Sequence, residues 1–437
     1  MRAIGNRIFP IVCVALAGHL ALSRTCQGKD LPVVSPDSVT LSQEKLGAIH
    51  GVLQSYLTSG KAPGFVVMIA KDGKPIYRDA VGTRDIVTGA PMTLDTLFWI
   101  ASMTKPITSV AVLQLYDQGK IKLEDPVSKY IPQMKGMKVY KGEGLDGPEF
   151  EAATHEITIY ELLTHTAGLA YNGWIGADSD YVDRQYAHAQ LVFSPDGNPG
   201  SRTLEEMVSK LGRLPLRHQP GEVWRYSIAN DVQAYLVQTV SGERFDKYVK
   251  RHILDPLEMK DTGFFVPKDK WALLATIYDP ANPEFTANSI RRKFLSPPTF
   301  YSGGHGLVST AGDYLRFAQM LANGGELDHR RILESETVKL MTTSHVKISA
   351  VDCFMSQDAT DAGCGWGYGV AIIADSAAAR LYGDGYVGEF FWGGTANTKF
   401  WVDPKNNIAG VIMTQVLSDP LPVRNEVKRI VYQTLVK

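Results

Sequence analysis

Strand-like segments lie near both ends of this chain, and a long, mainly helical stretch separates them. Residues 65–70 and 74–81 are β-rich and flank Asp72-Gly73, a dipeptide that favours a two-residue hairpin because both positions accept positive φ. Further β-rich segments lie near the carboxyl end, at 366–374, 386–392, 398–402 and 408–415. The simplest architecture brings the strands from both ends together in one antiparallel sheet.

The fold class follows from how helices are distributed around these strands. Amphipathic patterns predict helices near the two ends, at 42–59 and 423–436. We predict an α+β fold, in which an antiparallel sheet is flanked by N- and C-terminal helices and carries an inserted, mainly helical lobe. The sheet lobe would comprise about 42–100 and 346–437, and the helical lobe about 101–345. Predicted helices inside that lobe cover 157–165, 203–211, 231–240 and 312–323.

Composition narrows the class of protein. The 437 residues are 44% hydrophobic and 21% charged, which is typical of a globular protein of enzyme size. The formal net charge of -1 argues against broad electrostatic binding to nucleic acid. The oligomeric state is left open by the sequence.

The amino-terminal segment has the pattern of a secretory signal. Two arginines precede the apolar run 8–17, and small residues follow it. We expect a signal peptide over 1–23, cleaved after Ala17 or Ser23, and an N-terminal arm over 24–41. This predicts a periplasmic or secreted protein with no membrane span after cleavage. A retained N-terminal anchor is the alternative.

Two cysteines remain beyond the amino-terminal region. Cys353 and Cys364 are separated by a segment rich in Asp, Ala and Gly. In an oxidising compartment they would form a disulfide that stabilises the fold by about 2–3 kcal/mol. Two free surface thiols are the alternative. No Cys/His array has zinc spacing, and we expect no metal.

The spacing Ser-x-x-Lys places a hydroxyl and an amine on one face of a helix. It occurs three times, starting at Ser42, Ser102 and Ser344. Only Ser102 and Lys105 lie in apolar surroundings, where an amine can activate a serine nucleophile. The alternative is a capping serine with a snorkelling lysine. Ser42 is interpreted as a helix N-cap and the third occurrence as a solvated stretch.

Two later segments carry groups suited to the same chemistry. Tyr226 lies in a loop before an amphipathic helix, where a phenol beside an ammonium group can move a proton. Taken alone, such a tyrosine is more often a packing residue. The segment 391–395, Phe-Trp-Gly-Gly-Thr, lets backbone N–H groups approach a ligand closely, although taken alone it is equally consistent with a β-bulge.

In this order the three segments resemble the serine β-lactamase and penicillin-binding-protein superfamily. The likeness is closest to the family VIII carboxylesterases, which are related to class C β-lactamases, and it covers about 42–435. Supporting stretches are 162–169, 220–226 and 303–310.

The resemblance implies a catalytic role for three side chains. Ser102 would be the nucleophile and Lys105 its general-base partner. Tyr226 would share or relay the proton and act on the leaving group as an acid. Which of Lys105 and Tyr226 accepts the first proton is left open.

The resemblance also implies how the substrate is held. The backbone N–H groups of Ser102 and Thr395 would form an oxyanion hole. Trp392, Gly393 and Gly394 would bind the substrate. No cofactor is expected, because Gly383–Gly388 matches a dinucleotide fingerprint only by its letters and leads into a strand.

Two departures from the β-lactamase pattern bear on the substrate. Ile228 stands where that family has an asparagine, and Trp392 stands where it has a cation. Lost polar partners cost about 1–3 kcal/mol for each buried polar group of the ligand. We therefore expect an exported serine hydrolase that acts on small to medium carboxylic esters. The alternatives are a β-lactamase, a D-aminopeptidase or an acyltransferase on the same scaffold, or a non-catalytic penicillin-binding-like protein.

Overall fold

The structure is a computed structural model that describes residues 42–171, 180–192, 200–280, 290–348, 363–417 and 421–435. The predicted signal peptide, the N-terminal arm and Cys353 lie outside the described residues. The predicted export and the predicted Cys353–Cys364 disulfide therefore stay predictions. Cys364 itself is buried rather than at the surface.

The strands are β1 (Gly64–Lys71), β2 (Lys74–Asp85), β3 (Ala90–Pro91), β4 (Phe98–Trp99), β5 (Lys138–Gly144), β6 (Gly147–Ala152), β7 (Val308–Ser309), β8 (Glu326–Leu327), β9 (Arg330–Arg331), β10 (Val346–Ile348), β11 (Cys364–Trp366), β12 (Ala371–Ile373), β13 (Phe390–Gly393), β14 (Lys399–Asp403) and β15 (Ile408–Met413). The main sheet has the order β10-β11-β12-β13-β14-β15-β1-β2-β3, and neighbouring strands are antiparallel. Strands from both ends of the chain thus meet at the β15–β1 pair.

The helices are α1 (Gln43–Thr58), α2 (Thr104–Asp117), α3 (Ile159–Thr164), α4 (Tyr181–His188), α5 (Leu204–Leu211), α6 (Ala229–Ser241), α7 (Phe245–Val249), α8 (Ala311–Ala322), α9 (Ser335–Met341), α10 (Ser376–Leu381) and α11 (Val423–Thr434). One turn of 3-10 helix, Ala101–Met103, leads into α2. The predicted α+β class, with its antiparallel sheet, terminal helices and helical insertion, is confirmed. None of the described helices is long and apolar enough to cross a bilayer.

Helices cover both faces of the sheet. Tyr56 of α1 contacts Phe65 of β1 edge-on at 5.8 Å between ring centres, and Tyr314 of α8 contacts Phe400 of β14 at 5.1 Å. Cross-strand pairing puts Phe400 on the same face as Met68. Phe65 lies three residues before Met68 and so points to the opposite face. The sheet is therefore the middle layer, and both its faces are withdrawn from water.

The helix cap and the hairpin predicted near the amino end are both found in the structure. The Ser42 hydroxyl accepts a hydrogen bond from the Lys45 backbone N–H and caps α1. Asp72 and Gly73 have φ values of 51° and 74° and join β1 to β2 in a two-residue hairpin. Both features rest on interactions between near neighbours, which is why the sequence alone predicts them.

Two predicted strands near the carboxyl end are wrong in extent. The segment 366–374 is the end of β11, a turn and β12, because Gly369 has a φ of 79° and reverses the chain. The strand predicted for 386–392 begins only at Phe390. The helix α10 precedes it and was not expected, although Asp375 caps it by accepting from two backbone N–H groups.

A hairpin also lies within the region predicted to be mainly helical. Strands β5 and β6 pair antiparallel, and Tyr140 and Phe150 are cross-strand partners with ring centres 6.1 Å apart. Gly144 and Gly147 flank its two-residue turn. Polar residues dominate both strands, so the hydrophobic pattern that identifies a buried strand is absent.

A buried ion pair ties the C-terminal helix to the strand that carries Trp392. Lys428 of α11 and Glu389, the residue before β13, are both fully buried and are in direct contact. The Tyr432 hydroxyl donates to Glu389 at 2.7 Å, and the Lys428 amine donates to the Tyr382 carbonyl at 2.6 Å. Burial raises the pKa of Glu389 and lowers that of Lys428, while each charge opposes the shift of the other.

Lys428→Met should lower the free energy of unfolding by about 3–5 kcal/mol, because it leaves the Glu389 carboxylate buried without its cation. Urea denaturation measures this loss. The double variant Glu389→Gln/Lys428→Met should recover part of it. Lys339→Met removes a lysine from an exposed pair with Glu336 and should change stability by less than about 1 kcal/mol. An equal loss in the single and double variants would contradict the ion-pair account.

Candidate active site

Ser102 lies in the 3-10 turn between β4 and α2, and surrounding elements hold this turn on both sides. The Ile100 N–H donates to the Leu307 carbonyl at 3.1 Å, and the Tyr314 hydroxyl donates to the Met103 carbonyl at 2.8 Å. Ala101 has a φ of 44°, a conformation that costs a non-glycine residue free energy. The turn before Ser102 is therefore strained and is kept in place by its neighbours.

Lys105 lies in the first turn of α2 and is fully buried. Its Nζ is 3.2 Å from Ser102 Oγ and donates to the Gly304 carbonyl at 2.8 Å. Burial lowers the pKa of Lys105 to about 7, against the effect of Asp231, which raises it. A substantial share of Lys105 is thus the neutral amine near pH 7, and a neutral amine can accept a proton.

Asp231 is the negative charge that acts on Lys105. It lies fully buried in the first turn of α6, where the helix dipole favours an anion. Its Oδ1 accepts from the Ser302 hydroxyl at 2.6 Å and from the Gly304 N–H at 3.2 Å. Gly304 thus joins the two groups, since its carbonyl holds Lys105 and its N–H holds Asp231. A Cβ at Gly304 would lie 2.9 Å from Asp231 Oδ2.

Tyr226 brings a phenol to the same place. The residues on either side of it are tied to the 165–170 segment, because the Arg225 N–H donates to the His165 carbonyl and the Ile228 N–H to the Ala170 carbonyl. The Tyr226 ring centre is 4.6 Å from Lys105 Nζ, within cation–π range. The Tyr171 ring stacks on the Tyr226 ring, with 5.7 Å between the ring centres.

The Tyr226 hydroxyl is kept protonated by its surroundings. The side chain is only 8% exposed, and burial raises its pKa, against the smaller effects of Ser102 and Trp392, which lower it. Among the described residues the hydroxyl makes no hydrogen bond of ordinary geometry. It is therefore a neutral phenol close to the serine, with a proton available to a group that enters the site.

Two buried histidines form hydrogen bonds within the loops around this cluster. His165 Nδ1 is 3.1 Å from the Ser227 hydroxyl, and His305 Nδ1 is 3.0 Å from the Ser302 hydroxyl. Burial lowers the pKa of His165 to about 3 and that of His305 to about 4. Both imidazoles are thus neutral near pH 7, and they add no charge beside Lys105.

Trp392, Gly393 and Gly394 lie at the end of β13 and just beyond it. Trp392 is buried, with its ring centre 5.5 Å from that of Tyr226. A Cβ at Gly394 would lie 2.4 Å from the Ile100 carbonyl, so only glycine permits this approach. Thr395 follows in the turn after β13, and the Thr398 hydroxyl donates to the same Ile100 carbonyl at 3.3 Å. This end of β13 is thus packed against the Ser102 turn.

The structure therefore brings Ser102, Lys105 and Tyr226 into one buried cluster, with Trp392 against the tyrosine ring. The other two Ser-x-x-Lys pairs are elsewhere: Ser42 caps α1, and Lys347 is exposed on the edge strand β10. Asp231 and Tyr171 belong to the cluster but had no predicted role. Asp231 follows Tyr226 by five residues at a helix start, which was the available signal.

The side chains of the site are suited to proton transfer rather than to metal coordination. Ser102, Lys105 and Tyr226 contribute one hydroxyl, one amine and one phenol, and Asp231 contributes the carboxylate nearest to them. Within the described ranges, no group of three or more His, Cys, Asp and Glu side chains has the arrangement to hold a metal ion. The arrangement supports proton transfer to and from a serine nucleophile.

Comparison with known proteins defines the class. A family model described as Beta-lactamase matches residues 49–433. The chain belongs to this family, within the serine β-lactamase and penicillin-binding-protein superfamily, and it is a serine hydrolase.

Three relatives show the range of this likeness. Protein Rv1367c of Mycobacterium tuberculosis is 34% identical over 365 residues, which cover 83% of this chain and 88% of that protein. Esterase EstB of Burkholderia gladioli is 29% identical over 417 residues, covering 89% and 96%. The solved structure titled "EstCE1, a hydrolase with promiscuous acyltransferase activity" has a TM-score of 0.73 and 28% identity, covering 89% and 99%.

Gly394→Ala should displace the end of β13 from the Ser102 turn, because the new methyl group meets the Ile100 carbonyl. We expect a loss of about 1–3 kcal/mol in unfolding free energy and slower labelling of the folded protein by a fluorophosphonate. Gly51→Ala is the control: it lies on an exposed face of α1 with open space around it, and should be neutral or stabilising. Unchanged stability and labelling in Gly394→Ala would contradict the close approach.

Proposed function

We propose that this protein is an exported esterase that cleaves small to medium carboxylic esters through an acyl-enzyme on Ser102. The observation that carries the proposal is the distance of 3.2 Å between Ser102 Oγ and the nitrogen of a buried lysine. A serine hydroxyl attacks an ester carbonyl efficiently only when a base takes its proton. Lys105 is within reach to do so.

Lys105 is our choice for the first proton acceptor. Its lowered pKa leaves it partly neutral near pH 7, whereas the raised pKa of Tyr226 keeps the phenol protonated. A neutral amine can donate one N–H to the Gly304 carbonyl and direct its lone pair at the Ser102 hydroxyl. The proton passes from Ser102 to Lys105 as the bond from Ser102 Oγ to the carbonyl carbon forms.

Tyr226 then acts on the leaving group. The tetrahedral intermediate collapses when the bond from its carbon to the alcohol oxygen breaks, and that oxygen needs a proton. The Tyr226 phenol supplies it and regains a proton from Lys105, whose Nζ is 4.6 Å from the phenol ring centre. Water repeats the sequence on the acyl-enzyme and releases the acid.

The negative oxygen of the intermediate needs backbone donors. We assign these to the N–H groups of Ser102 and Thr395. Support comes from the close approach of Gly394 to the Ile100 carbonyl, which packs the end of β13 against the turn that carries Ser102. Fixed donors of this kind stabilise the transition state without needing to reorient.

The ester preference rests on two apolar side chains near the tyrosine. Ile228 and Trp392 are both buried, and they provide neither a side-chain amide for an acylamide group nor a cation for a carboxylate beside the scissile bond. EstB, which the chain resembles over nearly its full length, is described as an esterase. Export is proposed from the arginines and apolar run at the amino end.

Ser102→Ala should lower kcat/KM for p-nitrophenyl butyrate by about 10⁴-fold or more and abolish the burst of p-nitrophenol, because no acyl-enzyme can form. Stopped-flow absorbance at about 400 nm, where p-nitrophenolate absorbs, measures the burst. The control is Ser42→Ala, which removes the serine of another Ser-x-x-Lys pair and should cost only about 1 kcal/mol of stability.

The same preparation distinguishes the ester proposal from its alternatives. Initial rates are compared for the ester, a chromogenic cephalosporin and a D-amino acid amide, with and without an alcohol as acyl acceptor. Turnover of the cephalosporin or the amide above that of the ester would overturn the substrate class but keep the nucleophile. A Ser102→Ala variant with ordinary turnover would overturn the nucleophile itself.

The pH dependence should show the titration of Lys105. Its protonated form cannot accept the serine proton, so kcat/KM should rise with pH and be half-maximal near the Lys105 pKa of about 7. Asp231→Asn removes the charge that raises this pKa and keeps an oxygen for Ser302 and Gly304. The acidic limb should therefore move to lower pH.

A control carboxylate on the hairpin turn shows whether this shift is specific. Asp72→Asn preserves a residue type that tolerates positive φ and should leave the acidic limb in place. If Asp231→Asn left the limb unmoved or shifted it to higher pH, the acidic limb would not report Lys105.

A further inference from the structure

The 302–307 loop is packed against both α2 and α6, the helices that carry the catalytic amine and the buried carboxylate. On the α2 side, the Thr108 hydroxyl donates to the Gly303 carbonyl at 2.7 Å. On the α6 side, a Cβ at Gly303 would lie only 2.3 Å from the Asn230 carbonyl. The peptide groups of this loop therefore lie where they can contact the amine and the carboxylate together.

The Ser302 hydroxyl is the centre of the hydrogen bonds inside the loop. It is buried and donates its single hydrogen to Asp231 Oδ1 at 2.6 Å. The backbone N–H groups of Gly304 and His305 both donate to the Ser302 oxygen at 3.1 Å. The neutral His305 ring, whose Nδ1 lies 3.0 Å from the same oxygen, must then donate to it as well. One hydroxyl thus ties the carboxylate of α6 to two successive peptide units.

The peptide unit between Gly304 and His305 is fixed at both of its ends. In a trans peptide the C=O and the N–H point in opposite directions. The His305 N–H donates to Ser302, so the Gly304 carbonyl points away from Ser302. That carbonyl accepts from Lys105 Nζ at 2.8 Å. Ser302 therefore determines the direction of the oxygen that holds the catalytic amine.

The preceding peptide unit, between Gly303 and Gly304, is held in the same way. Its N–H donates to Ser302 and also lies 3.2 Å from Asp231 Oδ1. Its carbonyl is the oxygen that accepts from Thr108. Both peptide units thus have their N–H ends at Ser302 and their carbonyl ends on side chains of α2.

Asp231 and the Gly304 carbonyl both stabilise the charged form of Lys105. The other titratable groups of the described residues that face the amine are Tyr226, Tyr171, His165 and His305. Burial raises the pKa of both tyrosines and lowers the pKa of both histidines, so all four are neutral near pH 7. The charge state of Lys105 therefore depends on how closely the loop holds the carboxylate and the carbonyl to it.

The outer side of the loop is supported independently of Ser302. A cavity of about 730 Å³ lies on this side, and Trp99 and His305 both line it. The Trp99 indole N–H donates to the His305 carbonyl at 2.7 Å. Removal of the Ser302 hydroxyl should therefore relax the inner hydrogen bonds while the loop stays attached to α2 and to Trp99.

We propose that Ser302 is a positioning residue of the catalytic site, whose hydroxyl directs the Gly304 carbonyl at the Lys105 amine and keeps Asp231 beside the same loop. Ser302 acts on the reaction only through these groups. This inference rests on the proposed function, because it concerns the amine that activates Ser102.

Ser302→Ala tests the proposal through the pH dependence of the reaction. The acidic limb of kcat/KM should move about 0.5–1 unit to lower pH, because the carbonyl and the carboxylate then stabilise the ammonium form less well. The plateau should fall by about tenfold, because the amine is held less precisely against Ser102. Both effects are measured across about pH 5–9, by hydrolysis of p-nitrophenyl butyrate and by the rate of labelling with a fluorophosphonate.

Two variants separate this role from a loss of packing. Ser302→Thr keeps the hydroxyl and should retain the acidic limb of the wild type, even if the added methyl group lowers stability. Ser309→Ala removes a buried hydroxyl that contacts Thr262 and the Thr310 carbonyl, outside the catalytic cluster, and should leave the limb in place. Circular dichroism and thermal unfolding confirm that each variant is folded.

A double-mutant cycle tests whether Ser302 and Asp231 act on Lys105 together. Groups in one hydrogen-bond network have non-additive effects. In the Asp231→Asn background, Ser302→Ala should therefore move the acidic limb by less than it does in the wild type. Full additivity of the two shifts would overturn the proposed connection through the loop.

The outcomes separate this inference from the function on which it rests. If the wild type is active and Ser302→Ala leaves the acidic limb in place or moves it to higher pH, the positioning role is overturned and the esterase is kept. The same follows if Ser302→Thr behaves like Ser302→Ala. Labelling that shows the expected shift without ester turnover would overturn the ester proposal and keep Ser302. A wild type that is not labelled would overturn both.

Discussion

The site depends on an amine that is shielded from water. Lys105 Nζ lies between the Ser102 hydroxyl and the Gly304 carbonyl, beside the face of the Tyr226 ring. Burial disfavours the charged form of the amine, and Asp231 partly restores it. The balance between these opposing effects sets the pKa near neutrality, which allows one residue to take up and return a proton.

That balance requires elements from distant parts of the chain to be held together. The 302–307 loop is fixed on α2, because Thr108 donates to the Gly303 carbonyl at 2.7 Å and the Leu307 N–H donates to the Thr104 hydroxyl at 3.2 Å. Trp392 lies on β13 of the main sheet. The buried contact between Glu389 and Lys428 holds the start of that strand to α11. Loosening these contacts would admit water to Lys105 and raise its pKa.

Much of the fold could be predicted because its signals are local. The hairpin at Asp72-Gly73 and the Ser42 cap depend on residues within three positions of each other, and both are found. The extent of β11–β13 and the hairpin β5–β6 were missed, since glycine turns and polar exposed strands give no hydrophobic period. Ser102, Lys105 and Tyr226 were predicted from the order of three motifs, and the structure places Lys105 within 3.2 Å of Ser102 Oγ and 4.6 Å of the Tyr226 ring centre.

The sequence by itself determined the residue types of the chemistry: a serine and a lysine three apart in an apolar helix, a tyrosine before another helix, and a glycine-rich strand end. Only the tertiary structure decided their electrostatic state, because pKa values depend on burial and on charges that are distant along the chain. Asp231 raises the pKa of Lys105 because the Gly304 backbone holds the two side chains near each other. Its N–H donates to Asp231 and its carbonyl accepts from Lys105. The cavity beside the 302–306 loop likewise exists only where Trp99, Arg202 and Lys293, which are far apart in the chain, converge.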